Sequence, residues 1–273
     1  MSPAARAATL TARRSTRFVT WVRSWRAGLV PYDDVAEEIA DGEEHLAADV
    51  PGTWTDVPLR DLLPLFAKLH PDQVRVVLPA SGDPRGLPGP SREACRSGDQ
   101  PATVSSFTGA ALLAEEAVVA GGHGLVPEVR QHTSGSGDVF ETVLWRVYEL
   151  PAPPADPGPD PAEAEGDLNT ALAEATAQLA RLDVAQWRPE LAGALANLRK
   201  PDFAGDLPPG YDARARRLYA RASVLDGVLA LAGQTAPGGA VTGYEARQRD
   251  EALRPLLTAC RRALAAACNA PLI

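Results

Sequence analysis

The sequence predicts an α+β protein in two parts: a small mixed β-sheet with helices, then an all-α four-helix bundle. The first part carries short β-branched segments, and the second carries apolar residues spaced four and three apart, as one helix face requires. Between them, residues 151–166 read PAPPADPGPDPAEAEG. Because proline fixes φ and lacks an amide hydrogen, this segment predicts a semi-rigid linker. We therefore expect a disordered arm at 1–15, an α+β domain at 16–150 and a helical bundle at 167–273.

The first predicted helix covers residues 16–28. Its large apolar residues recur at the spacing of one helix face, and a glycine ends the segment. We expect it to dock on the core with Trp21 and Trp25 buried. The alternative is that this basic, tryptophan-bearing helix, taken as 13–28, lies on an anionic membrane surface. Eight acidic residues within 33–49 would be repelled by such a surface, and they offer the arginines partners instead.

The other elements of the first part are short. We expect a helix at 34–41 with Asp33 as its N-cap, and another from Pro58 to residue 69. The clearest strand is 73–79, QVRVVLP, which is rich in valine and stops at proline. A crossover from it to the strand at 117–120 would make a parallel βαβ unit. Further helices are predicted at 91–96 and 108–114, and further strands at 45–50, 117–120, 125–131 and 140–150.

Four helices are predicted after the linker, and together they indicate an antiparallel bundle. The fourth follows a capping box, Thr242-Gly243-Tyr244-Glu245. Pro255 lies inside that helix, where we expect a kink or a break near Leu253. The apolar positions are Leu168, Leu172, Ala175, Leu179 and Leu182; Trp187, Leu191, Ala194 and Leu198; Leu218, Ala222, Leu225, Leu229 and Ala232; and Leu253, Leu257, Cys260, Leu264 and Ala267.

Composition argues against several classes of protein. A net charge of −8 and a pI near 5.1 are unlike a protein that binds the nucleic-acid backbone. The three cysteines are an odd number without a close pair, which favours a reducing cytoplasm over a disulfide framework. No apolar run reaches the roughly 18–20 residues of a membrane span. The first 17 residues lack the apolar core of a secretory signal.

The sequence lacks the motifs of the common catalytic chemistries. It contains no GxxxxGK[ST] phosphate loop, no GxSxG nucleophile elbow, and no CxxC, HExxH or EF-hand spacing. We therefore expect no cofactor and no metal ion, and we favour a protein that is not an enzyme. Catalytic groups assembled from distant residues leave no local motif, so an enzyme stays open as an alternative.

The loop at 80–91 is the predicted ligand site, because it leaves the carboxyl end of the clearest strand, where open α/β sheets bind ligands. Asp83 would be an acid, a base or a hydrogen-bond acceptor, Arg85 an anion clamp, and Gly86 a point of close backbone approach. Ser91 would cap a following helix and leave its N–H groups to an anion. The alternative is an ordinary surface loop shaped by its prolines and glycines.

Two histidines are weighed as functional residues. His123 lies in the turn GGHG at 121–124 and is a candidate general base near the loop at 80–91. We favour a hairpin turn there, because the following residues, LVPEVR, form another strand and not a helix. His45 follows two glutamates; a metal site is the alternative to a solvated acidic face, which we favour.

A basic and aromatic cluster opens the third helix of the predicted bundle. Its members are Arg214, Arg216, Arg217 and Arg221, with Tyr211 and Tyr219. Such a cluster suits an acidic protein partner, and we single out Tyr211, Arg214, Arg217 and Arg221 as the candidate partner-binding residues. The acidic segment 33–49 of the same chain is a second candidate occupant, in which case the two domains dock onto each other by charge.

Three short segments of the chain carry a resemblance to a protein family. They are DPRGLPGP at 83–90, GLVP at 124–127 and WRPE at 187–190. They resemble a family of uncharacterised proteins from high-GC actinobacteria, and the likeness spans most of the chain. The resemblance implies an actinobacterial source and a cytoplasmic protein, and it implies no activity.

Together these observations predict a non-catalytic cytoplasmic protein, an adaptor that binds a protein partner through a helical face of the bundle. Nucleic acid is not expected as a partner. One alternative is a small-molecule-binding domain or an enzyme that uses the loop at 80–91. A second is peripheral membrane association through the helix at 13–28.

Overall fold

The computed structural model has the predicted α+β fold, with a mixed sheet and helices in the first part of the chain and helices in the second. The predicted helix at 91–96 and the predicted bundle helix that contains Trp187 lie outside the described residues. The structure describes residues 13–80, 82–88, 102–135, 137, 139–151, 158–182, 206–234 and 243–273.

The strands are β1 (Glu44–Ala48), β2 (Val57–Pro58), β3 (Val74–Val77), β4 (Ala117–Ala120), β5 (His123–Thr133) and β6 (Val139–Glu149). They form a sheet in the spatial order β2-β1-β6-β5-β4-β3. β1 runs parallel to β6, and the other neighbouring pairs are antiparallel. The helices are α1 (Arg14–Arg26), α2 (Tyr32–Ala40), α3 (Leu59–Leu62), α4 (Ala102–Ala114), α5 (Pro161–Leu182), α6 (Ala213–Gln234) and α7 (Gly243–Cys268), with 3₁₀ turns at Leu63–Phe66 and Pro71–Gln73.

The predicted βαβ crossover is wrong, because β3 and β4 are antiparallel. Val74 lies opposite Ala120 and Val77 lies opposite Ala117. The long connection at 78–116 contains α4, which is the strand–helix–strand order that suggested a crossover. A connection of that length also allows the chain to reverse, so the order of elements alone does not fix the relative direction of the two strands.

Helix α1 is docked on the core, as predicted. It begins at Arg14, inside the predicted arm, and packs against α2 and against β3, β4 and β5. Phe18 is fully buried and contacts the rings of Phe66 and Trp145, at centroid distances of 5.6 and 4.8 Å. The prediction that both helix tryptophans are buried is wrong: each is half-buried, because the face of the helix turned towards the core carries Phe18, Val22 and Arg23 instead.

The end of α1 shows how the local sequence fixes a helix boundary. Gly28 has φ of 75° and donates its N–H to the Trp25 carbonyl at 2.8 Å. Leu29 donates its N–H to the Ser24 carbonyl at 2.9 Å. These two bonds form a Schellman motif, which satisfies the last carbonyls of the helix and requires the left-handed backbone that glycine adopts easily. The glycine stop expected for this helix is confirmed.

Two predicted helices differ from the structure. α2 begins at Tyr32, so Asp33 lies in its first turn and is not its N-cap. The helix expected from Pro58 is instead a short α-helix followed by a 3₁₀ turn, and Pro58 itself ends β2. Pro64 lies at the start of the 3₁₀ turn, where its missing N–H interrupts the α-helical hydrogen bonds.

Contacts divide the chain into two compact units. Among the described residues, the first unit comprises 13–158 together with two short segments from later in the chain, 208–211 and 271–273. The second comprises 159–207 and 212–270. The first unit is therefore not continuous in sequence.

The two late segments of the first unit pack around Gly210. Its φ is 102°, and a Cβ at this position would lie 2.3 Å from Leu29 Cδ1. The Ile273 N–H donates to the Gly210 carbonyl at 2.9 Å, and the Ser24 hydroxyl donates to the Pro209 carbonyl at 2.8 Å. The segment 271–273 is thus hydrogen-bonded to the segment 208–211, which is in turn hydrogen-bonded to α1.

In the second unit, helix α5 begins at Pro161, inside the segment predicted as linker. Asp160 Oδ1 accepts hydrogen bonds from the N–H groups of Ala162 and Glu163, at 2.6 and 3.0 Å. Proline is well tolerated at the first helical position because its missing N–H would have no partner there. The linker prediction is therefore wrong for 161–166, where Asp-Pro starts a helix.

Helix α7 packs against both α5 and α6. It continues through Pro255, so the predicted break near Leu253 is not found. Its buried face includes Leu256 and the fully buried Cys260, whose thiol lies 3.2 Å from the Ala222 carbonyl of α6. The predicted row is correct at Cys260, Leu264 and Ala267, but Leu253 and Leu257 are only half-buried, and Leu256 is buried in their place. A helix that packs against two neighbours buries a face that differs from a single row of apolar residues.

Candidate functional site

The loop after β3 is held by its own interactions. Ala80 and Asp83 exchange backbone hydrogen bonds of 2.9 and 3.1 Å, which close a tight turn. Arg85, mostly exposed, lies with its Nε 3.2 Å from Asp83 Oδ1. Gly86 has φ of 84°, and a Cβ there would lie 3.1 Å from a Val77 methyl group. The glycine is thus explained by packing on β3, without a ligand.

One of the predicted ligand residues, His123, is not brought together with the loop at 80–91. His123 begins β5 opposite Ala120, which in turn lies opposite Val74 at the start of β3. The loop begins at the other end of β3, beside Val77, about 10 Å away along the strand direction. The favoured interpretation of His123 as part of a hairpin is confirmed. Ser91 lies outside the described residues, so its role stays a prediction.

The segment around His45 holds a buried polar chain that the sequence did not predict. His45 is 6% exposed, so the expected solvated face is wrong at this residue. The Trp145 indole N–H donates to His45 Nδ1 at 3.1 Å, and His45 Nε2 lies 3.3 Å from Glu43 Oε2. Because Nδ1 accepts, the neutral ring carries its proton on Nε2 and donates it to the glutamate.

Arg14 completes this chain, which we call the Arg14–Trp145 relay. Its Nε and Nη2 donate to the two Glu43 carboxylate oxygens at 2.9 and 2.5 Å, a bidentate pair. Burial opposes ionisation of Glu43, but hydrogen bonds from His45 and Arg14 outweigh it and lower its pKa from 4.5 to about 2. Since His45 Nδ1 is occupied by an indole N–H, the relay offers no free base and acts as an anchor between α1 and the sheet.

The start of α1 is anchored by a second carboxylate. Glu116 Oε2 accepts the backbone N–H of Ser15 at 2.8 Å and its hydroxyl at 2.6 Å. A carboxylate at this position satisfies an N–H that has no partner within the helix and interacts favourably with the helix dipole. Glu116 directly precedes β4, so this contact fixes the first turn of α1 at the start of that strand, beside the contacts of the relay.

Acidic side chains of the same unit pair with the arginines of α1, two of them from the segment 33–49 that the sequence suggested. Arg17 forms an ion pair with Asp41. The buried Arg23 lies with Nη2 3.1 Å from Asp72 Oδ1. With Arg14 on Glu43, these contacts direct three of the helix's basic residues into its own domain.

Two classes of site are not found in the described part of the chain. No group of three histidine, cysteine, aspartate or glutamate side chains there is arranged to hold a metal ion. Nor does any helix among the described residues have the length and apolar character needed to cross a membrane.

The basic cluster of the second unit forms a row on α6. Arg214, Arg217 and Arg221 are all exposed, and their spacing of three and four places them on one helix face. Arg214 lies 3.9 Å from Glu165, whereas the other two make no hydrogen bond or ion pair with the described residues. Tyr211 is 4% exposed and groups with the first unit, so it does not belong to this row.

Arg216 lies next to Arg217 in sequence but does not belong to the row. Arg216 points away from it: its guanidinium donates to the Leu207 carbonyl and lies 2.8 Å from Asp206. Asp212 accepts the N–H of Ala215 at 2.7 Å and caps the helix. The row on α6 (Arg214, Arg217 and Arg221) is therefore the exposed part of the cluster that the sequence predicted, whereas Arg216 is bound elsewhere and Tyr211 and Tyr219 are buried.

These features define a class of protein, a mixed α+β unit followed by a helical unit. Of the predicted catalytic residues that the structure describes, His123 does not lie beside Asp83. Two family models match the chain, the Rv1486c-like protein N-terminal domain at 15–161 and the Rv1486c-like protein C-terminal domain at 162–265. The chain belongs to the Rv1486c-like protein family. No curated protein and no solved structure matches it.

Proposed function

We propose that this chain is a non-catalytic cytoplasmic protein that binds an acidic segment of a protein partner on the row on α6. The observation that carries the proposal is that three exposed arginines share one helix face in a chain whose net charge is −8. A local basic surface on an acidic protein favours a partner with complementary charge.

The position of the row within α6 strengthens its positive potential. Arg214 lies in the first turn, where the helix dipole contributes about half a positive charge. Basic residues there are unfavourable to the helix itself, by roughly 0.3–1 kcal/mol each at low ionic strength. Carboxylates of a bound partner would relieve this repulsion, and the planar guanidinium groups can bind them in bidentate geometry.

The size of the row favours a protein partner over nucleic acid. From Arg214 to Arg221 the helix rises about 10 Å, which spans two turns. This length matches a short acidic segment. A nucleic-acid binder makes six or more phosphate contacts in typical cases, and the overall negative charge would oppose it.

The alternative of a ligand site or enzyme at 80–91 has less support. Asp83 is bound within its own loop, and His123 begins β5 at the opposite end of β3 from that loop. The membrane alternative also has less support, because α1 is docked on the sheet and three of its arginines have acidic partners.

The test is binding of a fluorescent peptide of about ten acidic residues, measured by anisotropy at two salt concentrations. We expect binding that weakens with salt, and a loss of at least about tenfold in affinity when Arg214, Arg217 and Arg221 are all changed to Gln. Absence of binding by the wild-type protein would refute the proposal. Tighter binding of an oligonucleotide or of anionic vesicles would assign the row to that partner instead.

The matched control removes the same charge elsewhere. Arg60, Arg85 and Arg254 are also exposed, and their change to Gln lowers the net charge by the same three units. This variant should bind the peptide within about twofold of wild type. An equal loss in both triple variants would mean that the whole charge of the protein, and not the row, determines binding.

A further inference from the structure

The hairpin of β5 and β6 extends beyond the neighbouring strand β4. β4 pairs with β5 only between His123 and Leu125, whereas β6 pairs with β5 along its whole length, as far as Thr133. From Pro127 onwards, the outer edge of β5 has no strand beside it among the described residues. We call residues 127–133 the open edge of β5.

The hydrogen-bond pattern shows which backbone groups the open edge presents. The Leu150 N–H donates to the Gly122 carbonyl at 2.7 Å, so the pair His123–Glu149 is of the non-hydrogen-bonded type. Alternation along the antiparallel pair then directs the N–H and C=O groups of Val129 and Gln131 outwards. Unpaired groups of this kind are a template for another strand.

The side chains of the open edge are complementary to a second copy of themselves. Val129 is 44% exposed, and it lies between Glu128 and Arg130, whose side chains are also partly exposed. When two Glu-Val-Arg segments pair antiparallel about the valine, each glutamate faces the arginine of the other chain. The two valines then meet on the opposite face of the sheet.

We propose that two copies of this chain form a symmetric dimer by antiparallel pairing of their open edges, centred on Val129. Each Val129 exchanges N–H···O=C bonds with its symmetry mate, and each Gln131 N–H donates to the Pro127 carbonyl of the other chain. β4 occupies the edge as far as Ala117, so the paired segment is limited to residues 127–131. Pro127 is buried and ends the paired segment, and it fits this position because only its carbonyl is used.

The contacts that Glu128 already makes are compatible with this pairing. Its two oxygens lie 3.3 Å from Arg130 Nε and 3.3 Å from Arg146 Nε, and Arg146 also reaches Asp49 at 3.1 Å. A carboxylate has about four lone-pair directions, so it can accept a further hydrogen bond from the other chain. This inference is independent of the proposed function, because the open edge and the row on α6 lie in different units and are tested separately.

The first test uses charge reversal, measured by sedimentation velocity at protein concentrations up to about 100 μM. Wild type should show a concentration-dependent dimer. Glu128→Arg alone or Arg130→Glu alone places like charges opposite each other twice, and each should weaken the dimer at least about tenfold. A mixture of the two variants restores both opposite-charge pairs and should form the heterodimer. A monomeric wild type, or a mixture that stays monomeric, would overturn the proposal.

The second test reports the register, in a Cys95→Ser background. Val129→Cys should form an intermolecular disulfide under mild oxidation, since facing residues of a hydrogen-bonded pair have Cα atoms about 5.5 Å apart. Gln131→Cys is the control, because its sulfur would lie about 13 Å from that of its mate. Cross-linking at residue 131 and not at 129 would show a different register and refute the proposed pairing.

Discussion

Gly124→Ala should destabilise the first unit by about 2–3 kcal/mol. A Cβ at this position would lie 2.5 Å from the Phe107 ring and 2.7 Å from Leu150 Cδ1. Phe107 is fully buried and packs edge-on against Tyr148, so its ring has no space into which to move. The expected result is a lower midpoint of urea unfolding with an unchanged slope.

Gly122→Ala is the matched control for this prediction. The same methyl group is added two residues away, where the nearest atom would be the Leu150 carbonyl oxygen at 3.6 Å, an ordinary contact. We expect a change below about 0.5 kcal/mol there. Equal unfolding midpoints for the two alanine variants would show that helix α4 is not packed closely on β5.

Glu43→Gln should remove a part of the stability that depends on pH. The pKa of Glu43 is about 2 in the folded protein and 4.5 in the unfolded chain, so the ionised carboxylate stabilises the fold. This contribution is complete above pH 4.5 and is lost as the pH falls towards 2. One pKa unit corresponds to about 1.4 kcal/mol, and solvent screening at this half-buried site reduces the total to about 2 kcal/mol at pH 7.

The measurement is the free energy of unfolding of wild type and variant at pH 7, 5, 3 and 2. The difference between them should be largest at pH 7 and should approach zero near pH 2. Glu44→Gln, an exposed neighbour, is the control and should follow wild type throughout. A difference that does not vary with pH would mean that the charge of Glu43 is not what binds Arg14 and His45.

Local sequence patterns predicted much of the fold of this chain. Runs such as QVRVVLP have a period and composition that identify strands without knowledge of their partners. The glycine stop of α1 and the hairpin at residues 121–124 likewise depend on neighbours in sequence. The row on α6 was predictable for the same reason, since the spacing of its arginines by itself places them on one face.

Features that depend on distant residues were not predictable in this way. The contact between His45 and Trp145 joins residues 100 positions apart, and it depends on the parallel pairing of β1 with β6. No local motif distinguishes a histidine in such a relay from one in a solvated acidic run. For the same reason, the sequence did not place Tyr211 with the first unit.

The first unit contains segments from late in the chain, and this affects how it folds during synthesis. Residues 13–158 leave the ribosome well before residues 271–273, which complete the packing around Gly210. At about 5–20 residues per second, the delay is roughly 6 to 23 s. Throughout this interval the nascent first unit lacks its last contacts, so it should be more susceptible to proteases and chaperones than its released form. Translation speed through the helical unit therefore sets how long this incomplete state persists.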